Sequence, residues 1–278
     1  MVRAMQPLTD RHALLAHRAR ALRAPELFLH QEVVSEVQER LVEVNRSFTA
    51  PAVVTAFPGL WRAAMPGARI VADDPTLALE PGAHDLVIHA LALHWADDLV
   101  GQLVQCRQAL LPDGLMIAAL FGGQTLHELR AVLAGAEAEV TGGLSPRVLP
   151  MAEIRDLGGL MQRAGLALPV ADSVTQRVLY RDAWHLMRDL RGMGETNALA
   201  ARLRRPTRRA VIDNAAARYA AAFGKEGRIP ATFEMVFLTG WAPHEAQQKP
   251  LRPGSATMRL AQALGTDETP LKAPTPRG

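Results

Sequence analysis

The chain has 278 residues, 49% hydrophobic and 21% charged, with a formal net charge of +3. This composition predicts a folded domain with a sizeable core, and the charge is too small to indicate nucleic acid without a concentrated basic patch. A single cysteine, Cys106, excludes internal disulfides and any zinc site of several cysteines, and no apolar run reaches the roughly 20 residues that span a bilayer.

The first 28 residues are rich in arginine and poor in acids, without the apolar core of a secretory signal. They read as a basic amphipathic helix of the domain, and the expected location is cytoplasmic. Helices are predicted over 8–48, where Val33, Val37, Leu41 and Val44 recur at helical spacing. Two short β-type runs follow at 52–57 and 68–72, the second closed by Asp73-Asp74-Pro75. Residues 85–93 form a nearly unbroken apolar strand, suited to a parallel sheet covered on both faces. Asp97 or Asp98 can cap the next helix, whose core stripe is Leu99, Leu103, Cys106 and Leu110. Pro112-Asp113-Gly114 turns into a strand at 115–121. Helices are predicted at 124–139 and 151–164, the latter ended by Gly165, then a strand at 170–180 and a helix around 184–190. A further helix runs from Pro206-Thr207 to Phe223, before a last strand at 231–241. The proline-rich stretch 243–278 reads as an extended arm and disordered tail. The expected organisation is an N-terminal helical segment (1–50), an α/β domain (51–242) with a helical insertion at about 181–225, and that tail.

Residues 85–123 make one crossover unit, whose strand ends mark the ligand crevice of an open α/β sheet. His84, His89 and His94 sit five residues apart and alternate faces, so they cannot converge on one metal ion; surface or corner positions are expected. His94-Trp95, just past the strand, is the exception that can line a pocket. Glu128 and Arg130 could hold a guanidinium or carboxylate, or could face solvent. Gly192-Met193-Gly194-Glu195-Thr196-Asn197 is a polar corner in which Glu195 suits a guanidinium, unless the segment serves only as a helix cap. Arg202, Arg204, Arg205, Arg208 and Arg209 form the one basic patch, open to an acidic partner, anionic lipid or RNA, or simply a solvated helix start.

The run LALHWADDL followed by LLPDGLMIAALFGG resembles the second half of a class I S-adenosylmethionine-dependent methyltransferase, the group that includes malonyl-carrier-protein methyltransferases. The blocks LTDRHALLAHR, FGGQTLHELR, GGLSPRVLPM, DLGGLMQRAGL, DLRGMGETNAL, ATFEMVFLTGW and RPGSAT together resemble the complex I assembly factor 5 family, over nearly the whole chain apart from about 51–67 and the tail. The resemblance implies a Rossmann-like doubly wound sheet, mostly parallel with an antiparallel late strand. It implies action on a protein partner in complex I assembly: hydroxylation of an arginine on an iron–sulfur subunit, or methyl transfer. The alternative is a non-catalytic pseudo-methyltransferase that binds an assembly partner. Nucleic acid is not implied, and peripheral membrane association is compatible with it.

The departure is at the cofactor. Where the family has Asp-x-Gly-x-Gly-x-Gly, this chain has Ala56-Phe57-Pro58-Gly59-Leu60-Trp61. By this resemblance 68–72 matches the family's third strand, with one β-α unit lost or collapsed into 51–67. Asp73 then stands for the acid near the adenine amine, and the ribose acid has no counterpart. If S-adenosylmethionine is kept, Gly59, Asp73, Leu91 and His94 would face it. Trp95, Glu128, Arg130, Glu195 and Asn197 are the substrate-pocket candidates; the catalytic residues are unassigned.

Overall fold

Apolar strands without alternation need helices on both faces, and the computed structural model, which describes residues 7–245 and 247, supplies them. Three parallel strands form the centre: β1 (Pro51–Thr55), β3 (His84–Ala90) and β4 (Leu110–Phe121), with short β2 (Arg69–Val71) beside β1. Of the last two strands, β6 (Ile229–Trp241) runs antiparallel to its neighbours β4 and β5 (Ala167–Tyr180), and the six-stranded order is β2-β1-β3-β4-β6-β5. This is a mixed, methyltransferase-type α/β sheet, as the sequence predicts.

One face of the sheet is covered by α2 (Phe28–Val44), α3 (Pro58–Ala64), α5 (His127–Thr141), α7 (Ala183–Gly192) and α8 (Arg209–Phe223). Leu29, Val33, Trp61, Ile88, Ile117, Leu190 and Phe233 are buried together there. The other face packs on α4 (Leu99–Ala109) and α6 (Ile154–Arg163) through Leu103, Cys106, Leu157 and Met161. Asp98, not Asp97, caps α4, accepting from the Gly101 N–H at 2.8 Å. Cys106 is fully buried, and burial pushes its thiol up to about 12, consistent with a core residue. Helix α1 (Arg11–Ala21) packs through Ala13 and Leu14 against Trp95, Leu149 and Leu199, near the C-terminal ends of β1 and β3.

Residues 69–71 pair directly with β1, register Val53 to Ile70, so among the described residues no strand lies between them. Asp73 lies two residues past this edge strand. The arm and tail expected over 243–278, with the RPGSAT block, lie almost wholly outside the described residues.

Candidate functional site

Both candidate regions lie at the C-terminal ends of the parallel strands. On the side of β1, a strand that enters a glycine loop would leave backbone N–H groups open to a ligand. Here Phe57 occupies that place, 1% exposed, with its N–H bonded to Thr55 Oγ1 at 3.1 Å. Its ring meets His30 edge-on at 4.5 Å between centroids. Pro58, at the first turn of α3, has no N–H to offer, and Trp61 is buried behind it. Gly59 has open space where a Cβ would stand, so no backbone approach requires a glycine there. Gly194 does require one: its φ is +78°, and a Cβ would meet Arg18 Cγ at 3.1 Å and Phe57 Cζ at 3.6 Å.

Asp73 is equally committed. Arg18 Nη1 donates to both of its oxygens at 2.6 and 2.7 Å, and Arg11 adds bonds at 3.0 and 3.3 Å. Burial alone would raise the Asp73 carboxyl, but the Arg18 and Arg11 guanidinium groups outweigh it and hold it below the usual carboxylate range. Beside this pair a small cavity of about 160 Å³ is lined by Thr9, Arg11, Asp73, His89, Trp95 and Gln102, among others. Leu91, although at φ 45°, is a core residue whose N–H bonds the Ala119 carbonyl at 2.9 Å.

The second region is larger, a cavity of about 330 Å³ walled by Trp95, Phe121, Leu129, Met151, Leu190 and Phe233. Glu195 is its distinctive polar group. Its Oε2 accepts from Trp95 Nε1 at 2.8 Å and lies 3.2 Å from His94 Nε2, while Oε1 makes no hydrogen bond among the described residues. The Glu195 side chain is 9% exposed; burial would raise its carboxyl, but His94, Arg18 and the Trp95 N–H together lower it, so it stays ionised. Arg147, which also lines the cavity, is neutralised by Glu137 at 2.6 and 2.9 Å, and that pairing first, with the Ser145 bonds, brings Glu137 down to about 2.

Of the five substrate-pocket candidates, Trp95, Glu195 and Asn197 line this one cavity. Glu128 does not; it is 2% exposed and accepts the Thr232 hydroxyl at 2.6 Å and the Thr232 N–H at 3.2 Å. Arg130 is occupied with the carbonyls of Gly123, Thr125 and Leu149. The expected surface or corner setting of His84 and His89 is overturned: both are under 10% exposed, as is His94. Each turns to a different partner: the Ala50 carbonyl, Gln102 and Glu195. Burial depresses His89 and His30 to about 4. Among the described residues no group of three or more His, Cys, Asp or Glu could hold a metal ion. Two features escaped the sequence: Arg18 as the partner of Asp73, and the bond from Trp95 to Glu195. Both pair residues at least 55 positions apart.

No protein-family model matches the chain. It is 41% identical over 201 residues to the mitochondrial arginine-hydroxylase NDUFAF5 of Danio rerio, covering 71% of this chain and 61% of that one. The Homo sapiens protein of the same name is 38% identical over 223 residues, covering 79% and 64%. The malonyl-[acyl-carrier protein] O-methyltransferase of Xylella fastidiosa is 34% identical over 178 residues, covering 64% and 58%. The chain thus spans about three-fifths of the length of these relatives. Among solved structures, phosphoethanolamine N-methyltransferase 2 of Haemonchus contortus aligns with a TM-score of 0.41 at 11% identity, covering 73% of this chain and 52% of that one. Over about 70% of its length the chain is thus similar to the NDUFAF5 arginine hydroxylases, on a mixed α/β sheet of the order described above.

Proposed function

We propose that the protein binds an arginine side chain of a protein partner in the 330 Å³ cavity and serves complex I assembly as an arginine-hydroxylase-like factor. The observation that carries this is Glu195. An ionised carboxylate, oriented by Trp95 and His94 with one oxygen free of hydrogen bonds among the described residues, shares the cavity lining with Phe121, Phe233, Leu129 and Met151. Such a carboxylate suits the flat guanidinium fork, and the aromatic walls suit its faces. The partner in this reading is an iron–sulfur subunit of complex I, met in the cytoplasm. Among the described residues no helix is long and apolar enough to cross a membrane.

S-adenosylmethionine does not fit the residues present. The Phe57 ring fills the place of the glycine cradle, and Arg18 and Arg11 take the Asp73 carboxylate, the acid that the resemblance sets near the adenine amine. The remaining 160 Å³ cavity is smaller than the roughly 300 Å³ at which ligand pockets begin. This filled side also supports a second reading, a binding factor without catalysis. Calorimetric titration with millimolar S-adenosylmethionine is expected to give no binding heat, and saturable binding would overturn the misfit. Mass spectrometry of the partner's arginine, with and without this protein, separates the readings. Gain of one oxygen supports hydroxylation, gain of a methyl group refutes the loss of cofactor, and an unmodified arginine in a stable complex supports the binding factor.

A further inference from the structure

One loop forms part of the cavity wall and carries most of the chain's concentrated charge. Residues 202–209 hold five arginines in eight positions and no acid. Thr207, in the middle of them, lines the cavity and accepts a bond from Arg147 Nη1 at 2.9 Å. Arg202 is engaged by Asp10 at 2.8 Å; Arg204 shares that carboxylate at 3.3 Å, with 67% of its side chain still exposed. Arg209 is 89% exposed and reaches Asp213 at 3.4 Å. Arg205 and Arg208 are exposed and make no ion pair among the described residues. Arg191, at the end of α7, adds another exposed cation to the cavity lining.

Folding stability does not account for this pattern. Arg208 is the N-cap of α8 and makes no side-chain cap bond, and Arg209 is the first helical residue. Cations there face the positive end of the helix dipole, and like charges along the loop repel. The arrangement does match a ligand: an anion in the cavity lining at Glu195, and exposed cations on the loop whose Thr207 forms part of the same lining. Its complement is an arginine flanked by acidic residues, and a basic segment would be turned away at the rim. The loop from 201 to 208 carries no aromatic residue on which a nucleotide base could stack.

We propose that Arg204, Arg205 and Arg208 dock an acidic segment of the protein partner, adjacent in sequence to the arginine that enters the cavity. This rests on the assignment of Glu195 as the guanidinium partner. Three fluorescent peptides test it by anisotropy at low and at physiological salt: one arginine flanked by Asp and Glu, the same arginine flanked by Ser, and the acidic peptide with Gln in place of arginine. The acidic arginine peptide is expected to bind about tenfold more tightly than the Ser-flanked one at low salt, with the gap narrowing as salt rises. Combined Arg204→Glu, Arg205→Glu and Arg208→Glu should remove that gap and leave the Ser-flanked affinity unchanged. Equal affinities for both arginine peptides, untouched by the charge reversal, would overturn the proposal while leaving the cavity assignment intact. Glu195→Gln should weaken both arginine peptides; if it weakens neither, the cavity assignment itself fails. Vesicles of phosphatidylserine and phosphatidylcholine that displace the acidic peptide through the same three arginines would overturn the proposal in favour of a lipid surface.

Discussion

The Arg18–Asp73 pair ties α1 to the sheet, and its removal should be measurable as a coupling. Both side chains are 6% exposed, so neither charge is solvated by water, whereas Arg11, the second partner of Asp73, is 27% exposed. Opposite charges in contact attract by about 4 kcal/mol at an effective dielectric of 20. Arg18→Met keeps the volume and leaves Asp73 with Arg11, so part of that attraction persists; the expected loss is about 2 kcal/mol. Asp73→Asn strands the Arg18 guanidinium without an anion, which costs about 3–5 kcal/mol. The double variant Arg18→Met/Asp73→Asn should be more stable than the sum of the singles predicts, with a coupling of about 2 kcal/mol. Urea unfolding at pH 7, followed by circular dichroism, reads all four proteins; the corresponding melting shifts are about 2–4 °C per kcal/mol. An Arg18→Met loss below about 0.5 kcal/mol, or an additive cycle, would refute the reasoning, because it would mean that the pair is solvated and α1 is not seated there.

Burial holds His30 and His89 at about 4, well below the usual 6.5, so between those values the unfolded chain binds more protons than the folded one. Stability should therefore be full above pH 6.5 and fall as pH drops toward 4, with a slope of up to about 1.4 kcal/mol per pH unit for each histidine; urea midpoints unchanged between pH 7 and 5 would contradict this. Trp95→Phe keeps the apolar wall but removes the N–H that orients Glu195, so arginine-peptide affinity should fall about three- to tenfold by anisotropy with little loss of stability. Glu128→Ala removes both acceptors of Thr232 and should cost about 2 kcal/mol in urea unfolding while peptide affinity stays unchanged. A selective loss of binding would restore Glu128 to the site.

The parts of this protein that were legible from sequence are those encoded within one element. The crossover from β3 to β4 shows itself through an unbroken apolar strand, the Asp98 cap and the Cys106 stripe, all local features. The fate of the cofactor side is only half legible: Phe57 and Pro58 declare a lost cradle, but nothing local says what pairs with Asp73. That partner is Arg18, fixed by how α1 lies over the strand ends, and a surface-looking arginine in a basic stretch gives no sign of being 5% exposed. The direct pairing of 69–71 with β1 is likewise a tertiary choice that three residues cannot signal. Glu195 stands out because a glycine-bearing polar corner rarely serves packing alone, whereas Glu128 and Arg130 stand out for charge alone and turn inward, Glu128 to the Thr232 hydroxyl and N–H and Arg130 to backbone carbonyls. The two outcomes separate on one physical point. A buried charge whose hydrogen bonds are all met by its own fold is structure; a carboxylate held on one oxygen, beside a cavity, is positioned for something that comes from outside.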